Sequence, residues 1–169
     1  YRLCKKSYLE RFLSIKSKVL IITQWFDPEP TIKGISFAKE LANNGLDVTV
    51  ITAFPNYPGG KIYKGYTNKW GHKEKIDNIK LYRIPIFPNH SKSIIGRILN
   101  YLSFSFSSLI KAILIRDQYH VIYAYHPPLS VGLVAIILKK IFHTPVVYDI
   151  QDLWPESLSN TGIINNKII

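Results

Sequence analysis

The chain has 169 residues, 47% of them hydrophobic and 13% aromatic, and 22 Lys/Arg against 11 Asp/Glu give a formal charge of +11. That length fits one domain, and that apolar content excludes a disordered tail. A single cysteine, Cys4, excludes an internal disulfide, and the charged lead Tyr1–Ser17 does not fit a signal peptide.

An opening tyrosine and the lack of methionine lead to the expectation of a piece cut from a longer protein. Residues 1–17 read as a basic extension with helix-like spacing of Tyr8, Leu9, Phe12, Leu13 and Ile15. Lys18–Thr23 is a β-branched run that predicts a buried strand. Gln24–Lys33 is a proline-containing loop. Gly34 then precedes an amphipathic stretch, Ile35–Asn44, with Ile35, Ala38, Leu41 and Ala42 on one face and an Asn44-Gly45 stop. Asp47–Thr52 is a second β-branched run, so the first 35 or so residues of the body form a βαβ unit with parallel strands.

Ala53–Asn78 is dense in Pro, Gly, Tyr and Lys and reads as a long functional loop. Beyond it, Ile79–Ile84 predicts a strand, Ser93–Arg116 a long helix, Val121–Tyr125 a strand, Leu129–Phe142 a helix and Pro145–Ile150 a strand. This alternation, with strands apolar on both faces, predicts an α/β fold: a Rossmann-like, doubly wound parallel sheet with helices on both faces. Residues 18–169 are taken as that domain. The apolar stretch Ile94–Ile115 is interrupted by Arg97, Asn100, Lys111 and serines, so it reads as a helix buried in the domain or lying on a membrane surface.

Much of the positive charge falls between Lys61 and Arg97, where nine Lys/Arg face only Glu74 and Asp77. A field of that sign attracts nucleic acid, anionic lipid or diphosphate-linked substrates, or is simply a solvated surface. No nucleic-acid-binding motif accompanies it, and none is expected as a partner. The region bearing Lys61, Lys64, Lys69, Lys73, Lys75 and Arg97 is the candidate membrane-facing side.

In open parallel sheets ligands bind outside the carboxyl ends of the strands, where the strand order reverses. With the common order, Gln24–Gly34, Tyr125–Ser130 and Gln151–Ser157 converge there. Lys33-Gly34 at a helix start offers backbone N–H groups and a positive dipole end to a phosphate, or is an ordinary helix opening. His126-Pro127-Pro128 makes a stiff turn whose histidine either contacts substrate or is structural. Asp149, Asp152 and Glu156 put three carboxylates at one strand end. Asp152, beside Trp154, suits a proton acceptor or an electrostatic partner of an oxocarbenium-like centre, with helix capping as the competing role; for Glu156 capping leads. Zinc-ligand spacing, the G-x-G-x-x-G fingerprint, the Walker loop, the G-x-S-x-G turn and Asp-x-Asp are all missing, so no metal or cofactor is expected.

KVLIITQWFDPEPTIKGISFAKELANNGLDVTVIT (Lys18–Thr52), PNYPGGKIYKGY (Pro55–Tyr66), HPPLSVGLVAIILKK (His126–Lys140) and PVVYDIQDLWPES (Pro145–Ser157) together resemble the N-terminal, acceptor-side domain of family 4 retaining glycosyltransferases of the GT-B fold. Within that family the likeness is to the bacterial surface-polysaccharide branch. It implies a cleft whose second, donor-binding domain, carrying the nucleotide and an E-x7-E pair, lies outside this chain, so that the fragment alone is inactive. It implies a diphosphate-approaching loop at Lys33 and Gly34 and a cleft lined by His126, Pro127, Trp154 and Glu156. Many relatives have a histidine before the acid that aligns with Asp152; here that position is Gln151. Asp152 is then the candidate catalytic residue.

The implied partners are a nucleotide-sugar, taken as a UDP-sugar donating a hexosyl or N-acetylhexosaminyl group, and a lipid-linked saccharide acceptor for capsule, O-antigen or exopolysaccharide. The implied location is the cytoplasmic, inner face of the plasma membrane. Two alternatives stand beside it: a non-catalytic basic module binding membrane or polyanion, and half of a sugar-nucleotide epimerase.

Overall fold

The structure, a computed structural model, describes residues 17–89, 93–115, 117–125 and 127–151. The lead before Ser17, expected to be helical, and His126, Asp152, Trp154 and Glu156 lie outside the described residues.

Six strands, β1 (Lys18–Thr23), β2 (Asp47–Ala53), β3 (His72–Ile76), β4 (Ile79–Ile84), β5 (Val121–Tyr125) and β6 (Val146–Asp149), form one sheet in the order β3-β4-β2-β1-β5-β6. All neighbours are parallel except β3 and β4. The helices are α1 (Ile35–Asn43), α2 (Ile94–Ile115) and α3 (Ser130–Phe142). β1 lies at the centre, with Ile22 between Ile51 of β2 and Ala124 of β5, which is why its run is apolar on both faces.

Two cores result, one on each side of the sheet. Val19, Ile21, Val48, Val50, Ile79 and Leu81 face α1 and surround Ala38 and Phe26. Leu20, Ile22, Ile51, Ile84, Ile122 and Ala124 face α2 and α3, around Phe104, Val134 and Leu138. Each buried Ile, Leu or Phe contributes roughly 1.5–3 kcal/mol, so an alternation slipped by one residue would exchange the two cores. The end of α1 follows from its Asn-Gly signal. Gly45 sits at φ +89, its N–H donates to the Ala42 carbonyl, and the Leu46 N–H donates to the Leu41 carbonyl, a Schellman closure.

One expectation is corrected. Ala53–Asn78 is not wholly a loop, because its last part is β3, an edge strand folded back on β4 by a two-residue turn at Asp77-Asn78 with Asp77 at φ 52. Its sequence, HKEKI, alternates charge with little apolar content, as suits an edge that meets water.

Candidate functional site

The parallel strands β2, β1, β5 and β6 end along one rim. β1 leads through α1 toward β2 on one side, and β5 leads through α3 to β6 on the other, so the order reverses between β1 and β5. The loops after these two neighbouring strands are Gln24–Gly34 and the turn containing Pro127 and Pro128.

The first loop is pinned to the end of β2. The Gln24 carbonyl accepts from the Thr52 hydroxyl at 3.1 Å and from the Ala53 N–H at 3.3 Å. Phe26 is fully buried and anchors the loop in the α1-side core. Glu29, only 3% exposed, accepts the Asn56 N–H at 2.7 Å and the Tyr57 N–H at 2.8 Å on one carboxylate oxygen, and the Phe26 N–H at 3.3 Å on the other. Burial pushes its carboxyl above the usual range, opposed by these three N–H groups and by the charge of Arg83. Trp25 stacks on Tyr57 with ring centroids 4.3 Å apart. The PNYPGG segment then closes on itself, with Gly60 N–H donating to the Asn56 carbonyl at 2.7 Å and Tyr63 N–H to the Pro55 carbonyl at 2.9 Å. Arg83, 2% exposed, donates to the Asp27 carbonyl at 2.6 Å and to Glu74 at 2.8 Å, tying this loop to the edge strand.

Gly34 precedes α1, and a Cβ there would stand 2.1 Å from an Asp27 carboxylate oxygen. That oxygen accepts the Ile35 N–H at 2.6 Å. The glycine therefore makes room for an internal carboxylate at the positive end of the helix, and the first amide that sequence reasoning offers to a phosphate is held by Asp27. Lys33 reaches across the rim, with its Nζ 3.9 Å from an Asp149 carboxylate oxygen at the end of β6 and 4.6 Å from the centre of the Phe37 ring. Asp149 also accepts hydrogen bonds from the Tyr123 hydroxyl and from the Gln151 side-chain amide. Burial and the adjoining Asp149 carboxylate push the Tyr123 phenol well above its ordinary range.

Pro127 is half-buried and Pro128 buried. Their turn opens α3 through Val131 N–H to the Pro128 carbonyl at 3.0 Å. Gly132 lets the Tyr148 ring approach, since a Cβ there would lie 2.7 Å from it. The structure thus places Lys33, Gly34 and Pro127 on loops leaving adjacent strands. His126, Asp152, Trp154 and Glu156 lie outside the described residues.

The basic residues divide. Lys61, Lys64, Lys69 and Arg97 are exposed, and Lys73 and Lys75 are exposed on β3. Lys80 pairs with Asp47 at 3.0 Å and Arg83 is internal, so the stretch from Lys61 to Arg97 is not one continuous basic face. Among the described residues no group of three His, Cys, Asp or Glu is arranged to hold a metal.

A family model described as "Glycosyl transferase 4-like domain" matches residues 36–162. The chain belongs to the glycosyl transferase 4-like domain family. It is a glycosyltransferase domain, and membership implies a sugar donor and an acceptor as substrates. No curated protein matches the chain. Among solved structures it is similar to sucrose-phosphate synthase from Thermosynechococcus elongatus, at 13% identity and TM-score 0.55, over 90% of this chain and 36% of that one. At that identity the likeness shows the fold, a GT-B-type Rossmann-like domain, and the chain spans little more than a third of the synthase. The C-terminal domain of a hydrogenase from Pyrococcus furiosus is a looser match, at 16% identity and TM-score 0.46 over 79% of this chain and 91% of that one.

Sequence reasoning passed over Glu29 and the Tyr123–Asp149 pair. A glutamate between two prolines, six residues past the end of a buried strand, was the available signal for the first. The second had none, because Tyr123 and Asp149 lie 26 residues apart and meet only through strand pairing.

Proposed function

We propose that this chain is the acceptor-side half of a retaining glycosyltransferase that moves a hexosyl or N-acetylhexosaminyl group from a UDP-sugar to a lipid-linked saccharide. The pathway is bacterial capsule, O-antigen or exopolysaccharide assembly on the cytoplasmic face of the plasma membrane. The donor-binding half is a separate domain of the complete protein, and this half alone is inactive. The observation that carries the reading is the rim, where Lys33, on the loop after β1, reaches Asp149 at the end of β6 beside the point of order reversal. Such rims hold the ligands of open parallel sheets.

In this reading Asp152, three residues beyond Asp149, meets the reacting sugar as base or electrostatic partner. Trp154, His126 and Pro127 shape the acceptor wall, and Glu156 supports that loop. Lys33 supplies positive charge toward the donor diphosphate, with Gly34 keeping the backbone close.

The test is transfer of radiolabel from a UDP-sugar to a polyprenyl-diphosphate-linked saccharide by the complete protein. Label is expected in the lipid-extractable fraction, and Asp152→Asn should lower it by roughly a hundredfold, the range of a lost general base. An unaltered rate in that variant would remove Asp152 from the chemistry. Absence of any transfer across nucleotide-sugars would favour the non-catalytic basic module.

A further inference from the structure

Helix α2 reverses the ordinary arrangement of a helix that meets water. Its inward side buries Gly96, Asn100, Ser107 and Ser108 beside Phe104 and Ala112. Its outward side is apolar, with Ile95 71%, Leu99 47%, Leu102 54% and Phe106 66% exposed at spacings of four, three and four residues. α3 packs alongside, joined by a hydrogen bond between the Ser105 and Ser130 hydroxyls at 2.7 Å, and extends the layer with Leu133 64% and Ile136 52% exposed. α2 is long and apolar enough to cross a membrane, yet one side of it is built into the core of the sheet. An apolar layer two helices wide exceeds what a monomer ordinarily leaves to water.

The margins of this layer are basic. Lys139 and Lys140 are exposed in the last turn of α3. On the other flank, Lys73 of the edge strand and Lys111 of α2 share the Tyr82 ring, at 5.6 and 4.5 Å from its centre. Neither helix contains an Asp or Glu.

We propose that the outer face of the α2–α3 layer is a monotopic docking surface for an anionic lipid bilayer. Apolar side chains of such a face enter the boundary between headgroups and acyl chains, while the lysine stems lie along it and carry their charges to the phosphates. A bilayer supplies both the apolar medium and the anionic rim. A second copy of the chain does not, since a two-fold contact presents the same patch to itself and neither helix offers a carboxylate to the lysines. The sequence placed the membrane-facing side on the basic stretch Lys61–Arg97 and read Ile94–Ile115 as buried or lying on a membrane surface; this assignment centres that side on the helix layer, with exposed Arg97 on α2 and Lys73 at its margin. Because α2 and α3 begin at the rim, a saccharide carried on a lipid headgroup reaches the candidate site along the surface. The proposal extends the lipid-linked acceptor reading but rests on the helix faces alone.

The test is flotation of the purified chain with vesicles of phosphatidylcholine, with or without phosphatidylglycerol. Binding is expected with phosphatidylglycerol present, declining as salt is raised. Leu102→Asp combined with Phe106→Asp should weaken it by roughly a hundredfold, about tenfold for each apolar side chain, with Tm unchanged. Lys139→Glu with Lys140→Glu should weaken binding to the anionic vesicles by roughly tenfold or more and leave the neutral ones unaffected. Unchanged flotation of the Asp pair would overturn the proposal. A dimer that the Asp pair converts to monomer would assign the face to a second copy, and a fall in Tm would assign it to a covering segment of the protein; either overturns it too. Flotation requires no donor or acceptor sugar, so its failure and failure of the transfer reading are separate results.

Discussion

Glu29→Ala should release the loop that begins the candidate site. The carboxylate satisfies three backbone donors, and two of them, on Asn56 and Phe26, belong to fully buried residues. Leaving the well-made Asn56 N–H without a partner costs about 2 kcal/mol, and the longer Phe26 bond and the half-buried Tyr57 N–H cost about 1 kcal/mol each. Relief of the buried charge offsets about 1 kcal/mol of this. The net is a loss of about 3 kcal/mol, which for a domain of this size lowers Tm by roughly 6–12 °C. Urea unfolding measures the loss, and amide exchange locates it, with protection disappearing at Asn56 and Tyr57 before the strands.

Glu29→Gln keeps one oxygen for the two strongest donors and should lose less. Because burial raises the Glu29 carboxyl in the folded state, the ionised form costs stability once the pH rises through that raised value and costs nothing well below the ordinary 4.5. The Gln variant escapes this penalty, so its stability relative to wild type should improve from acid to neutral pH. A Glu29→Ala loss under about 1 kcal/mol, with exchange protection intact, would refute the claim that this carboxylate holds the loop.

Two further outcomes follow from the neighbouring groups. Burial acts to raise Glu74, but its hydrogen bond to Arg83 and the charges of Arg83 and His72 hold it below the usual range, so its stabilisation is full above 4.5 and is lost as the pH falls through its folded value. Glu74→Gln should cost about 1–2 kcal/mol at neutral pH by urea unfolding and approach wild type in acid; an equal gap at both would exclude an ionic role. Gly34→Ala forces the Asp27 carboxylate off the Ile35 N–H and should cost about 1–3 kcal/mol. In a double-mutant cycle with Asp27→Ala the two losses should sum to more than the double variant shows, and strict additivity would mean that the pair does not interact.

Much of the fold was legible in the residues because the central strands are buried on both faces. Their unbroken β-branched runs, and the Asn-Gly stop of α1, carry their signal locally. β3 escaped because an edge strand needs no apolar face, and HKEKI in a Lys-rich stretch looks like a loop until β4 lies beside it. The rim loops were recognised as loops with unusual residues, and Lys33, Gly34 and Pro127 do leave adjacent strands. Their partners were not legible. Gly34 looked like an opening for a phosphate, whereas only the folded backbone brings the Asp27 carboxylate, seven residues earlier, onto the same amide.

The chain by itself determined its βαβ alternation, its family and its excess of positive charge, since periodicity, motif and composition are properties of neighbouring residues. Tertiary structure alone decided which of those charges are internal, which carboxylate holds which loop, and that the polar side of α2 turns inward while its apolar side turns out. Those outcomes depend on packing between segments far apart in sequence, and a helical pattern of apolar residues reads the same whether its stripe meets a sheet or a membrane.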